Sequence, residues 1–158
     1  MSNENVRTIE FTRDGLEAAG FKGFHHLYER REERFAEVPE GPGVYAVLRE
    51  SERPVEFVDP DGNGALAERW VPDAQVVYIG RADTLRRRLS RLAVKGAGRA
   101  VADWSGRVIW QIGDTESMTV AWLGTLPDDS GKLRARLLDS FSAQHGGRPP
   151  FGNQRKSG

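Results

Sequence analysis

Apolar residues recur along this chain in short blocks whose spacing separates strands from helices. Gly43 to Leu48 (Gly-Val-Tyr-Ala-Val-Leu) is brief, rich in β-formers and bounded by turn residues, which predicts a buried strand. Gln75 to Gly80 predicts a second strand. Residues 84–94 predict a helix, with Leu85, Leu89 and Leu92 on one stripe, and 97–103 read as a further short helix. Arg107 to Ile112 and Met118 to Leu123 predict two more strands joined by a Gly113-Asp114 turn. Residues 131–145 predict the last helix, with Leu133, Leu137 and Phe141 on its apolar stripe and Gly146-Gly147 as its stop.

The N-terminal part carries weaker signals. Residues 1–12 read as a frayed start. Residues 13–36 read as one or two helices broken near Gly20 to Gly23, anchored by Phe21, Phe24, Leu27 and Phe35 and ended by Pro39 and Pro42. The 49–75 stretch reads as a long connection. Strands early and late with helices between them point to a small mixed sheet carrying packed helices. No repeat or linker divides the chain, so 1–42 is expected as a helical extension packed on a domain spanning 43–158.

Composition narrows the class. A length of 158 residues suits one domain, and 38% hydrophobic with 29% charged residues suits a globular chain with a modest core. No apolar run approaches a membrane span, and the N-terminus lacks a signal pattern, so a cytoplasmic location and no membrane partner are expected. The absence of cysteine excludes disulfides, thiolate metal sites and a cysteine nucleophile. The 23 basic and 23 acidic residues cancel, which disfavours nonspecific nucleic-acid binding by the chain as a whole. Their distribution is uneven, however. Arg81, Arg86, Arg87, Arg88, Arg91, Lys95 and Arg99 cluster within residues 81–99 against one acid, Asp83, which predicts a local basic face for phosphate contacts.

Two tripeptides stand in the predicted strands: Gly43-Val44-Tyr45 and Tyr78-Ile79-Gly80. Arg88 follows eight residues beyond Gly80, and Asn153 lies near the C-terminus. This ordered set resembles the GIY-YIG nuclease superfamily over about Gly43 to Asn153. The resemblance implies an α+β fold with a small central, mainly antiparallel sheet flanked by helices. It implies that Tyr45, Tyr78, Arg88 and Asn153 line a phosphodiester-cleaving site. A tyrosine hydroxyl there would position or help deprotonate water, and an arginine would meet the phosphate charge. It also implies Mg²⁺ or Mn²⁺, held by a glutamate on the later helix.

At that glutamate's position this chain carries Arg134, which lies within or beside the apolar stripe of its helix. Two readings stay open for it: a stem packed on the sheet with its head in water, or a remodelled site in which it binds phosphate. Asp139 projects to the opposite side and is a poor substitute metal ligand. The expected function is therefore a nucleic-acid phosphodiesterase (an endonuclease) of impaired activity, with DNA favoured over RNA. The alternatives are a noncatalytic nucleic-acid-binding module and a protein-interaction domain.

Other motifs carry less. Asp59-Pro60-Asp61-Gly62-Asn63-Gly64 begins like a calcium-binding loop, but its twelfth position is Trp70, so a polar turn is the better reading. His25 and His26 have no third ligand in view, and His145 suits a helix C-terminus. Trp110 and Trp122 are expected in the core. Trp104, in a turn near the basic segment, is the indole to watch.

Overall fold

The computed structural model describes residues 3–27, 36–57, 63–96 and 105–153. It is an α+β fold built on a four-stranded antiparallel sheet in the order β1-β4-β2-β3, formed by β1 (Lys22–His26), β2 (Gly43–Arg49), β3 (Val76–Ala82) and β4 (Met118–Gly124). Among the described residues five α-helices accompany it: α1 (Asn3–Thr8), α2 (Arg13–Ala18), α3 (Asn63–Arg69), α4 (Leu85–Gly96) and α5 (Ser130–Gln144). A 3₁₀ helix spans Ser105–Gln111 and another Thr115–Ser117.

β2 is apolar from Gly43 to Leu48 and ends in Arg49, and all seven of its residues are buried. Its alternating side chains feed two cores. Val44, Ala46 and Leu48 join Ile79 and Ala121 against Val6, Leu16, Leu133, Leu137 and Phe141 from α1, α2 and α5. Tyr45 and Val47 join Tyr78, Val120 and Trp122 against Leu85, Leu89 and Leu92 of α4, with Ile109 and Phe151. The predicted stripes of α4 and α5 are thus the buried faces of those helices.

Three local expectations are corrected. The helix expected beyond residue 20 ends at Ala18, and Lys22–His26 is instead a strand paired with β4. A bulge between Gly23 and His25 shifts its register, and Phe24 sits at φ 58°. The bulge inserts an extra residue, so the three-residue spacing of Phe21, Phe24 and Leu27 imitates a helical period. Gly23 is required there, since a Cβ would fall 2.2 Å from the Trp122 ring. The segment 1–42 therefore supplies a strand to the sheet as well as helices.

The expected frayed start contains α1, pinned to α5 where Ser140 Oγ donates to the Val6 carbonyl at 2.7 Å and Gln144 Nε2 to the Ile9 carbonyl at 3.0 Å. The strand expected at 107–112 lies in the first 3₁₀ helix and its exit. Val108, Ile109, Trp110 and Ile112 are all buried, so no polar alternation directs this segment to a sheet edge. The short helix expected at 97–103 and Trp104 lie outside the described residues, as do 59–62 of the calcium-loop-like motif.

The long connection after β2 is fastened by a buried ion pair. Arg49 Nε and an Nη meet the two Asp114 carboxylate oxygens at 2.8 and 2.9 Å, the same Nη reaches the Arg53 carbonyl at 2.8 Å, and the guanidinium lies over the Trp70 ring. Burial alone would raise the Asp114 pKa. Hydrogen bonds from Arg49 and Ser51, with the Arg49 charge, outweigh it and hold the carboxyl below its ordinary value. A depressed carboxyl contributes stability above its unfolded pKa and loses it as pH falls through the folded value. Asp114→Ala strands a guanidinium whose side chain is only 6% exposed, and urea unfolding at neutral pH should show a loss of about 3 kcal/mol or more. The gap between wild type and variant should close in acid; equal stability at neutral pH would contradict the assigned role of the pair.

Candidate functional site

The β2–β3 register builds the centre of the site. Tyr45 pairs with Gly80 and Val47 with Tyr78, so both tyrosines project from the same sheet face toward α4. Their ring centroids lie 5.9 Å apart at 45°, and their side chains are hydrogen-bonded. The Tyr45 ring occupies the space beside Gly80. A Cβ there would fall 2.5 Å from Tyr45 Cζ and 2.6 Å from its hydroxyl oxygen, so residue 80 must lack a side chain. On the other flank, a Cβ at Gly152 would meet Tyr78 Cδ1 and the Val77 carbonyl at 3.0 Å.

Two arginines from different helices act electrostatically on Tyr45. Half-buried Arg88 stands on α4 beside the buried Leu85, Leu89 and Leu92, and half-buried Arg134 stands on α5 beside buried Leu133. Burial pushes the Tyr45 phenol well above its ordinary pKa, and the charge and hydrogen bond of Tyr78 add to the rise. Arg88 and Arg134 both oppose it, so each guanidinium acts electrostatically on the hydroxyl of Tyr45. The Arg134 Nε is buried and has no hydrogen-bond partner.

Asn153 occupies a different place. Its Oδ1 accepts from the Ile79 N–H at 3.0 Å and its Nδ2 donates to the Ile79 carbonyl at 2.8 Å. The Gly152 N–H donates to the Val77 carbonyl at 2.6 Å. β3 is an edge strand, and this segment satisfies its outward backbone groups on either side of Tyr78. Asn153 is thus engaged with the strand that carries Tyr78 and Gly80. The contribution of Gly152 was not foreseen from sequence; the signal was a glycine directly before the asparagine.

The expected basic face divides. Arg81 donates from Nε to Ser130 Oγ at 3.1 Å and pairs with Asp83, while Arg86 bonds the Val38 carbonyl and Glu40, each at 2.9 Å. These two are tied into the fold. Arg87 and Arg91 are exposed on α4, Lys95 lies in its last turn, and Arg99 is outside the described residues. Buried Ser130, which anchors Arg81, carried no distinctive sequence signal.

The divalent cation implied by the resemblance does not fit the groups at this centre. The groups that shift the Tyr45 phenol are Tyr78, Arg88 and Arg134, none of them a carboxylate. Asp139 is exposed, and among the described residues no cluster of three His, Asp or Glu side chains could hold a metal ion. His25 bonds Glu37 at 2.6 Å, His26 Nδ1 lies 3.1 Å from the Glu116 carbonyl, and His145 Nδ1 lies 2.7 Å from the Phe141 carbonyl. Trp110 and Trp122 are buried in the core as expected.

No protein-family model, curated protein or solved structure matches this chain. Among the described residues, no helix is long and apolar enough to cross a membrane.

The raised Tyr45 phenol gives a titration prediction. Its protonated form supports folding fully below the ordinary tyrosine pKa of about 10, and that support is lost as pH rises toward the folded value. In an alkaline titration of phenolate absorbance, Tyr45→Phe should delete a phenol that ionises later than ordinary tyrosine. Loss of an ordinary or early phase would show that the hydroxyl is not buried as described.

Proposed function

We propose that this chain engages nucleic-acid phosphodiesters, DNA in preference to RNA, at the Tyr45–Tyr78–Arg88 centre of a GIY-YIG-type scaffold. The observation that carries the reading is that Arg88 acts electrostatically on Tyr45, which is hydrogen-bonded to Tyr78, with Arg87 and Arg91 exposed on the same helix. A guanidinium offers paired N–H donors that match a phosphate, and its half-buried setting strengthens each bond relative to water. Exposed arginines beside it would add sequence-independent contacts to neighbouring phosphates.

Binding is favoured over cleavage. A general base works best with a pKa near the operating pH, and the Tyr45 phenol is pushed the other way. The groups around it suit an anion better than the divalent cation that nuclease chemistry on this scaffold would use. Hydrolysis is kept as a second reading because the Tyr45 and Tyr78 rings lie side by side and Arg88 acts electrostatically on Tyr45.

The test pairs binding with cleavage. Wild type should bind a short DNA duplex at low salt, with affinity falling as salt rises. Arg88→Ala should weaken binding about tenfold or more, the scale of a lost charge-assisted hydrogen bond. Wild type should leave plasmid DNA uncut with Mg²⁺ or Mn²⁺. No binding at low salt would remove the nucleic-acid reading. Cutting by wild type that disappears in Arg88→Ala would establish hydrolysis instead.

A further inference from the structure

We infer that Arg134 is an anion ligand which, with Arg88, forms a metal-independent site for a phosphate group beside Tyr45. Phosphate as the ligand class rests on the reading above; the presence of an anion site rests on Arg134 itself.

α5 lays Leu133, Leu137 and Phe141 on the sheet, and Arg134 follows the first of these on the helix. A surface arginine with a packed stem would release its head to water. Here the Nε–H is buried and lacks an acceptor. Several other buried or half-buried arginines among the described residues meet protein acceptors. Arg49 meets Asp114, Arg69 the Phe151 carbonyl, Arg81 Ser130, Arg86 the Val38 carbonyl and Glu40, and Arg148 the Glu68 carbonyl. The buried Arg134 Nε–H is a donor that the fold leaves open. A buried donor without a partner is destabilising, and a ligand oxygen would relieve it.

Charge points the same way. Arg88 and Arg134 both act on one phenol held in its neutral form, with no carboxylate among the groups acting on it. Two guanidinium charges within electrostatic range of one hydroxyl repel one another, and an anion between them would offset that repulsion. A divalent cation would be repelled from the same place. A tetrahedral oxyanion can take donors from both guanidiniums at once, as a phosphate does when held by paired arginines. The phosphate could belong to a nucleic-acid backbone or be free in solution; the recognition chemistry is shared.

The experiment titrates inorganic phosphate, and separately a short DNA duplex, into the full chain in the presence of EDTA, by calorimetry at constant ionic strength with chloride as the control. Wild type should bind phosphate over chloride without any metal. Arg134→Gln should weaken phosphate binding at least about tenfold, and Arg134→Lys should recover part of it, because charge returns without the planar fork. Arg136→Ala, at an exposed position on the same helix as Arg134, should leave phosphate binding unchanged. Circular dichroism melts establish that each variant is folded; if Arg134→Gln is not, Arg134→Lys against wild type reads the same difference. Phosphate binding by Arg134→Gln equal to wild type, no phosphate binding by wild type, or binding that appears only with Mg²⁺ would each overturn the inference. Phosphate binding that needs Arg134 without any duplex binding would uphold this site and remove the nucleic-acid reading. Duplex binding that needs Arg88 but not Arg134 would do the reverse.

Discussion

Pairing of β2 with β3 in the register that sets Tyr45 opposite Gly80 is the constraint on which the site depends. A slip of one residue would turn Tyr45 to the opposite core and bring Val44 or Ala46 into its place. The register is held from several sides. β2 is buried on both faces, the ring of Tyr45 fits only over a glycine, and a Cβ at Gly43 would meet the Leu123 carbonyl at 2.4 Å. At the outer edge, Gly152 and Asn153 bond Val77 and Ile79, so the last described residues secure the strand bearing Tyr78.

On this frame α4 and α5 bring opposite consequences for the same group. Their leucines bury the sheet, which raises the energy of charge near Tyr45, while Arg88 and Arg134 place charge there. The phenol responds by staying protonated. A centre of neutral hydroxyls and cationic forks can hold an anion but offers little to a metal ion. That balance is why the proposed function is phosphate recognition, with cleavage secondary. The stability for such a centre comes from elsewhere, from two apolar cores and the Arg49–Asp114 pair rather than from the site.

Much of this was legible in the chain because it rests on short-range pattern. The runs at 43–48, 75–80 and 118–123 are strands, and the leucine stripes of α4 and α5 are buried. Tyr45 and Tyr78, chosen from sequence, lie side by side, and Arg88 and Arg134 both act electrostatically on Tyr45. What escaped depends on tertiary partners. β1 looks helical until β4 supplies its ladder and Trp122 explains Gly23. Arg81 and Arg86 look like free phosphate ligands until Ser130 and the Val38 carbonyl, distant in sequence, claim them. The two readings of Arg134 could not be separated by periodicity, since both place it beside the same stripe; the partnerless Nε favours the second.

The most direct measurement follows the arginine Nε–Hε resonances by NMR while a short DNA duplex is added. With the signals assigned by Arg88→Lys and Arg134→Lys, both should shift together and saturate at one duplex concentration, with Arg87 and Arg91 responding more weakly and with strong salt dependence. Shifts confined to Arg87 and Arg91, with Arg88 and Arg134 unmoved, would place the nucleic acid on the outer face of α4 and contradict the account of the tyrosine–arginine centre as the phosphate site.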